Sequence, residues 1–185
     1  MIYPVVVYGH PVLRKEAEDF LPEEKEGLQQ LIEDMYETMY KADGIGLAGP
    51  QIGLSKRIFT IDATPLADEM PELADFKKVF INARIVERDG ASVSDNEGCL
   101  SLPGVNESVG RLSRIRIQYV DADFNEHDEV YEGWAARVIQ HEYDHIDGIL
   151  FVDHLAPLKK RLLKSKLNAI SKGKVNVNYR IKLPK

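Results

Sequence analysis

Two histidines four residues apart bracket a glutamate in Gln140-His141-Glu142-Tyr143-Asp144-His145, and no other stretch of the chain constrains it as tightly. On a helix, positions i and i+4 share a face about one turn apart, so both imidazoles can be aimed at one cation. Glu142 then stands beside the first imidazole, placed to take a proton from water activated there rather than to bind the ion. Trp134, Val138, Ile139 and Ile146 supply helical apolar spacing, and Gly148 supplies a stop. The pattern points to a metal-dependent hydrolase. The plain alternative is a solvated helix that carries the same three residues by chance.

A catalytic site of this kind needs a third protein ligand and one open position. An astacin-like or reprolysin-like pattern would place a histidine three residues after the glycine, but Phe151 stands there. A thermolysin-like site takes a glutamate far downstream, and no glutamate follows Glu142. Asp147, Asp153 and His154 lie too close to the helix to return to it easily, so the ligand is expected upstream. There the single cysteine, Cys99, sits in Glu97-Gly98-Cys99-Leu100-Ser101-Leu102-Pro103, which reads as a strand or turn edge. A lone cysteine is often only a small buried hydrophobe. One Cys and two His are nevertheless a known catalytic ligand set.

A third segment, Gly44-Ile45-Gly46-Leu47-Ala48-Gly49-Pro50-Gln51, opens with a dinucleotide-type glycine pattern. That reading requires a strand before it and a helix after it. Instead, Leu28, Leu31, Ile32, Met35 and Met39 give the preceding stretch helical spacing, and Pro50 follows the last glycine. The better reading is a tight loop leaving a helix, where backbone can approach a ligand and Gln51 offers an amide donor.

These three motifs, in this order, resemble those of the bacterial peptide deformylases, and the resemblance extends over roughly residues 4 to 172. The segment Gly9-His10-Pro11-Val12-Leu13-Arg14 is similar to the family's early Pro-Val-Leu-Arg element. One departure is visible: the family usually has alanine where this chain has Gly49, which is expected to keep the loop but loosen it. The resemblance implies removal of the formyl group from the N-terminal formylmethionine of nascent polypeptides. It implies Cys99, His141 and His145 as metal ligands, Glu142 as acid/base, and Gln51 with the Leu100 N–H as donors to the developing oxyanion. The ion it implies is one divalent metal per chain, typically ferrous iron, with zinc, nickel or cobalt able to occupy the site. By the same resemblance, the backbone of Ile45, Gly46 and Gly98 pairs with an extended substrate, and Ile45, Leu100, Trp134 and Val138 form an apolar pocket for its methionine. Trp134 and Val138 read equally as ordinary core residues. Glu97 and Arg111 are expected to pair behind the metal loop.

Composition agrees with one catalytic domain over residues 1–185. The chain is 44% hydrophobic and carries a formal net charge of −6. No run approaches the roughly 20 apolar residues of a membrane span, and Met1 to His10 lacks the basic leader and apolar core of a secretory signal. Cytoplasmic residence is expected, and a single cysteine points the same way. Residues 157–185 hold ten of the 24 Lys and Arg and none of the 30 acids. A solvated helix face is the plain reading; docking of the basic helix 157–172 on ribosomal RNA is the one the resemblance implies.

Periodicity predicts a helix over 24–42, strands at Arg57–Asp62, Val79–Val86, Arg114–Asp121 and Asp128–Gly133, the motif helix, and a last helix over about 157–171. That order favours an α+β fold, mostly antiparallel sheets packed around a central metal-binding helix, with a C-terminal helix. Ala63–Lys77 reads as a surface loop. In the tail 173–185, Val175, Val177 and Tyr179 alternate with polar residues, as in an edge strand, and an unordered tail is equally compatible. Two other function classes stay open: another metal-dependent amidase or aminopeptidase, and a non-catalytic ribosome-associated module stapled by a metal with four protein ligands, His154 being the candidate fourth.

Overall fold

A computed structural model describes residues 1–185. Its main sheet has five antiparallel strands in the order β2, β3, β4, β5, β6: β2 Gly46–Ala48, β3 Ile58–Asp62, β4 Lys77–Cys99, β5 Leu102–Val120 and β6 Glu126–Glu132. β1, Val5–Val6, pairs in parallel with β7, Ile181–Lys182. Three helices accompany them: α1 Leu28–Lys41, α2 Gly133–Ile146 and α3 Pro157–Ser171. The α+β class is the expected one, and α2 and α3 fall where periodicity placed them.

β4 and β5 are far longer than the strands expected at Val79–Val86 and Arg114–Asp121. From Ser92 to Gly98 and from Asn106 to Leu112 they pair only with each other, and the exposed residues of this two-stranded arm carry little apolar periodicity. Register shifts between Ile81 and Arg84, Ile85 and Glu87, and Asp89 and Ser92 bend the pair. Its hairpin turn, Leu100–Ser101, delivers Cys99 to the interior. α1 is shorter than expected, because Pro22–Glu24 forms a separate 3-10 turn and Gly27 intervenes before Leu28. Ala63–Lys77 is not wholly a surface loop: Ala63, Leu73 and Phe76 are buried.

α2 is buried on nearly every side, as its role at the centre requires. Val138, Ile139, Tyr143 and Ile146 join Phe59, Phe80, Ile115 and Ile117 in one apolar cluster. A second cluster, including Val7, Leu102, Val105, Phe151, Leu163 and Leu167, packs α3 behind the Cys99 turn. A third seats Met35 and Met39 of α1 against Leu47 and Ile58. The C-terminus of α2 is closed by Arg57, 1% exposed, which donates to the Ile146 carbonyl (3.2 Å) and to Asp147 (2.9 Å). Gly148 follows in the left-handed region, as its assignment as a helix stop anticipated.

Candidate metal centre

The i, i+4 spacing and the hairpin turn do what the sequence suggested. Ligand atoms of Cys99, His141 and His145 all lie within 4.8 Å of one another, with Cys99 Sγ 3.4 Å from His145 Nε2. The imidazole rings are 5.4 Å apart and nearly perpendicular, so they converge rather than stack. Burial pushes the Cys99 thiol up, but the charges and hydrogen bonds of His145 and His141 outweigh it and hold it at about 5, so the thiolate is the favoured form. A thiolate with two imidazoles is a donor set suited to a divalent transition metal, and the three converge closely enough to hold one. His154, the candidate fourth ligand, is elsewhere: its Nε2 pairs with Asp144 at 2.8 Å.

Behind the cluster lies a closed array of charges. Glu97 accepts from Arg111 Nε (2.6 Å) and Nη2 (2.9 Å), from Arg137 Nη1 (2.6 Å) and from His141 Nδ1 (2.8 Å). Arg111 also reaches Asp144 at 3.0 Å. The expected Glu97–Arg111 pair is therefore present, within a larger network that includes Arg137, Asp144 and His154. Burial opposes ionisation of Glu97, but the hydrogen bonds from His141 and Arg111 hold its carboxyl far below the usual range. Anchoring His141 Nδ1 in this way leaves Nε2 for the ion, the arrangement by which a carboxylate fixes the tautomer of a metal-binding histidine.

The front of the cluster is different. Glu142 is 4% exposed, its Oε1 is 3.8 Å from His141 Nε2, and its Oε2 has no hydrogen-bond partner. Burial raises its pKa, which makes the carboxylate a readier proton acceptor than an exposed one. Gly46 makes room for this carboxylate, since a Cβ there would come within 2.7 Å of Glu142 Cδ. Gln51 is pinned by its own turn. Its Oε1 accepts from the Ala48 N–H (2.9 Å), which directs its amide nitrogen at Ser101 Oγ (3.2 Å) and Cys99 Sγ (3.4 Å). The Leu100 N–H donates to no other group of the chain.

A cleft of about 400 Å³ opens onto these groups, and Ile45, Leu100, Trp134 and Val138 all line it, as do Gly46 and Gly98. Val138 is also in the main core and Trp134 packs on it, so the two are core residues that also line the cleft. The Ile45 carbonyl is engaged by the Asp62 N–H (2.8 Å), which leaves the edge of β2 as the free backbone on this side. The turn bearing Gln51 is not loosened by Gly49. That residue is buried, and a Cβ would lie 2.7 Å from the Lys56 carbonyl oxygen and 2.9 Å from that of Leu54, so backbone has closed over the missing methyl. Val177 and Tyr179 of the tail also line the cleft, which the sequence signalled only by their alternation.

Comparison with known proteins agrees with this geometry. Residues 2–161 match the family model described as polypeptide deformylase. A peptide deformylase from Christiangramia forsetii is 52% identical over 100% of this chain and 97% of its own, and one from Cytophaga hutchinsonii is 51% identical over 100% and 98%. Among solved structures, the peptide deformylase of Thermus thermophilus superposes with a TM-score of 0.82 at 42% identity, covering 94% of this chain and 99% of that one. That of Thermotoga maritima gives 0.76 at 39% identity over 85% and 99%. On the strength of a family match across most of its length and relatives identical at half their positions, the chain belongs to the polypeptide deformylase family.

Proposed function

We propose that Cys99, His141 and His145 hold the divalent ion with which this metal-dependent hydrolase removes the formyl group from the N-terminal formylmethionine of nascent polypeptides, and that the whole chain serves as one catalytic domain. The convergence of these three ligands beside an unpartnered, buried Glu142 carboxylate carries the reading. An ion held there supplies Lewis acidity, lowering the pKa of water to about 7 and polarising the formyl carbonyl. Glu142 takes the proton of the attacking water. The Gln51 amide and the Leu100 N–H donate to the formyl oxygen as negative charge develops on it, and being preorganised they reorient little during the reaction. Glu142 then returns the proton to the departing amine, and formate leaves.

Substrate recognition is a property of the cleft. The methionine side chain fits the apolar wall of Ile45, Leu100, Trp134 and Val138. The Ile45 N–H and the backbone of Gly46 and Gly98 pair with the extended peptide and are therefore indifferent to the side chains after methionine. Ferrous iron is the proposed native ion, with zinc, nickel or cobalt as substitutes. Air, with the peroxide it generates at ferrous iron, should then oxidise iron and the cysteine sulfur, and an iron-loaded sample whose activity is stable in air with no peroxide scavenger present would exclude iron. Hydrolysis of formyl-Met, acetyl-Met and free Met peptides, with metal analysis of the same sample, tests the reaction. Release of formate alone is expected, and cleavage of the free-Met peptide would point to an aminopeptidase.

Cytoplasmic work on nascent chains fits docking of α3 on the ribosome. Lys160, Arg161 and Lys164 form an exposed basic surface, while Leu163, Leu167 and Ile170 face the core. Removing the helix would strip that core, so charge reversal at Lys160 and Lys164 is the cleaner test. Loss of salt-dependent co-sedimentation with ribosomes supports docking, and unchanged binding rejects it.

A further inference from the structure

After α3 the chain turns back and runs towards the metal loop. β7 is seated on the N-terminal segment, where Val5 N–H donates to the Arg180 carbonyl (2.9 Å) and Val7 N–H to the Lys182 carbonyl (3.1 Å). Every second side chain of this strap, Val175, Val177, Tyr179 and Ile181, is turned inward and half-buried. Val175 and Ile181 pack on the apolar cluster behind the Cys99 turn, while Val177 and Tyr179 reach the cleft. The strap lies beyond residue 161, where the match to the family model ends.

Tyr179 does more than occupy space. Its hydroxyl donates to the Leu100 carbonyl at 2.8 Å, and the next carbonyl, that of Ser101, accepts the Tyr8 N–H at 3.0 Å. The turn that presents the Leu100 N–H is thus held by two consecutive carbonyls, one tied to each end of the chain. Gln51 also reaches this turn at Ser101 Oγ (3.2 Å), but the Tyr179 hydroxyl is what holds the Leu100 carbonyl, and fixing that carbonyl limits rotation about Leu100 and hence the direction of its N–H. An oxyanion donor works only if it is aimed where charge develops, and a misplacement of about 1 Å is enough to cost two orders of magnitude.

We infer that Tyr179 is a positioning residue for deformylation: through its hydrogen bond to the Leu100 carbonyl the C-terminal strap orients the Leu100 N–H, and with Val177 it forms one wall of the substrate cleft. The inference rests on the deformylase reading and adds to it a role for a segment outside the catalytic motifs. The phenol leaves no charge or nucleophile in the reaction; it acts only through the turn.

The test is Tyr179→Phe in the full-length enzyme, which keeps the ring against the cleft and removes only the donor. With formyl-Met-Ala-Ser as substrate, kcat should fall about three- to tenfold, the size expected for one hydrogen bond, with KM nearly unchanged. Hydrogen exchange of the segment 98–103 in the zinc-loaded protein should accelerate, while metal content stays at the wild-type value and the melting temperature falls by no more than the few degrees that one lost hydrogen bond costs. Val177→Ser should instead raise KM with kcat largely retained. Wild-type kcat and wild-type exchange in Tyr179→Phe would overturn the inference, as would a loss that tracks falling metal content or melting temperature. A metal-loaded wild type that releases no formate would overturn the underlying reading, and this inference with it, and is distinguished because the variant plays no part in that observation.

Discussion

The two sides of the metal cluster are built on opposite principles. Behind it, Glu97, Arg111, Arg137 and Asp144 are all buried and all paired, with separations of 2.6 to 3.0 Å. In front of it, Glu142 Oε2 is buried without a partner and the Leu100 N–H is unused. Buried polar groups are nearly always satisfied, because an unmade hydrogen bond costs about 1–3 kcal/mol. The back therefore commits its charges to rigidity, and the front keeps polar groups free to meet a ligand in the cleft. The same helix serves both: Arg137, His141 and Asp144 of α2 touch the network, while Glu142 faces the cleft.

If the division is real, substitutions in front should abolish turnover and spare the fold. Glu142→Gln should lower kcat by about 100- to 10,000-fold, the range for loss of a positioned acid/base. Because burial already disfavours the charged carboxylate, the variant should melt no lower than the wild type. A clear drop in melting temperature would place Glu142 in the structural array and blur the comparison. Gln51→Ala should follow at about 100- to 1000-fold in kcat, as for other oxyanion donors, with the metal retained. Metal loss in that variant would mean that the amide chiefly steadies the Cys99 sulfur, 3.4 Å away.

A change at the back should do the reverse. Glu97→Ala leaves Arg137 and part of Arg111 buried without their carboxylate, a disruption of the type that costs about 3–5 kcal/mol. It also frees His141 Nδ1, which should weaken metal affinity about 10- to 100-fold. Urea unfolding and metal titration measure the two effects separately. An active, stable Glu97→Ala enzyme would show that packing alone holds the histidines.

The front was largely legible in the sequence and the back was not. His141, Glu142 and His145 announce themselves because helical spacing converts three letters into one face, and Cys99 emerges from excluding the other ligand sources. The network behind them is assembled from Arg111 on β5, Glu97 on β4 and Arg137 and Asp144 on α2, pairs separated by 14 to 40 residues. Only the Glu97–Arg111 pair was anticipated, because charged side chains at such separations carry no period. The length of β4 was hidden for a related reason: the strand is exposed from Val86 to Asn96, and such an arm lacks the apolar alternation that reveals a strand. In the tail, the alternation of Val175, Val177 and Tyr179 suggested an edge strand, but only Ile181–Lys182 pairs as one, and nothing local indicated that the half-buried face of 175–179 meets the Cys99 turn.

Gly49 asks on which side of the division the Gln51 turn falls. Alanine is the residue expected there from the family pattern, and in this chain its methyl would meet the carbonyl oxygens of Lys56 and Leu54 at 2.7 and 2.9 Å. Those atoms belong to the backbone leading into β3 and cannot rotate away as a side chain would. Gly49→Ala should therefore destabilise by about 1–3 kcal/mol, as overpacking does. If the turn is scaffold, kcat per folded, metal-loaded molecule stays unchanged, because Gln51 Oε1 remains tied to Ala48 N–H. If kcat falls while the melting temperature holds, strain has been passed to the Gln51 amide, and the turn belongs with the reactive front.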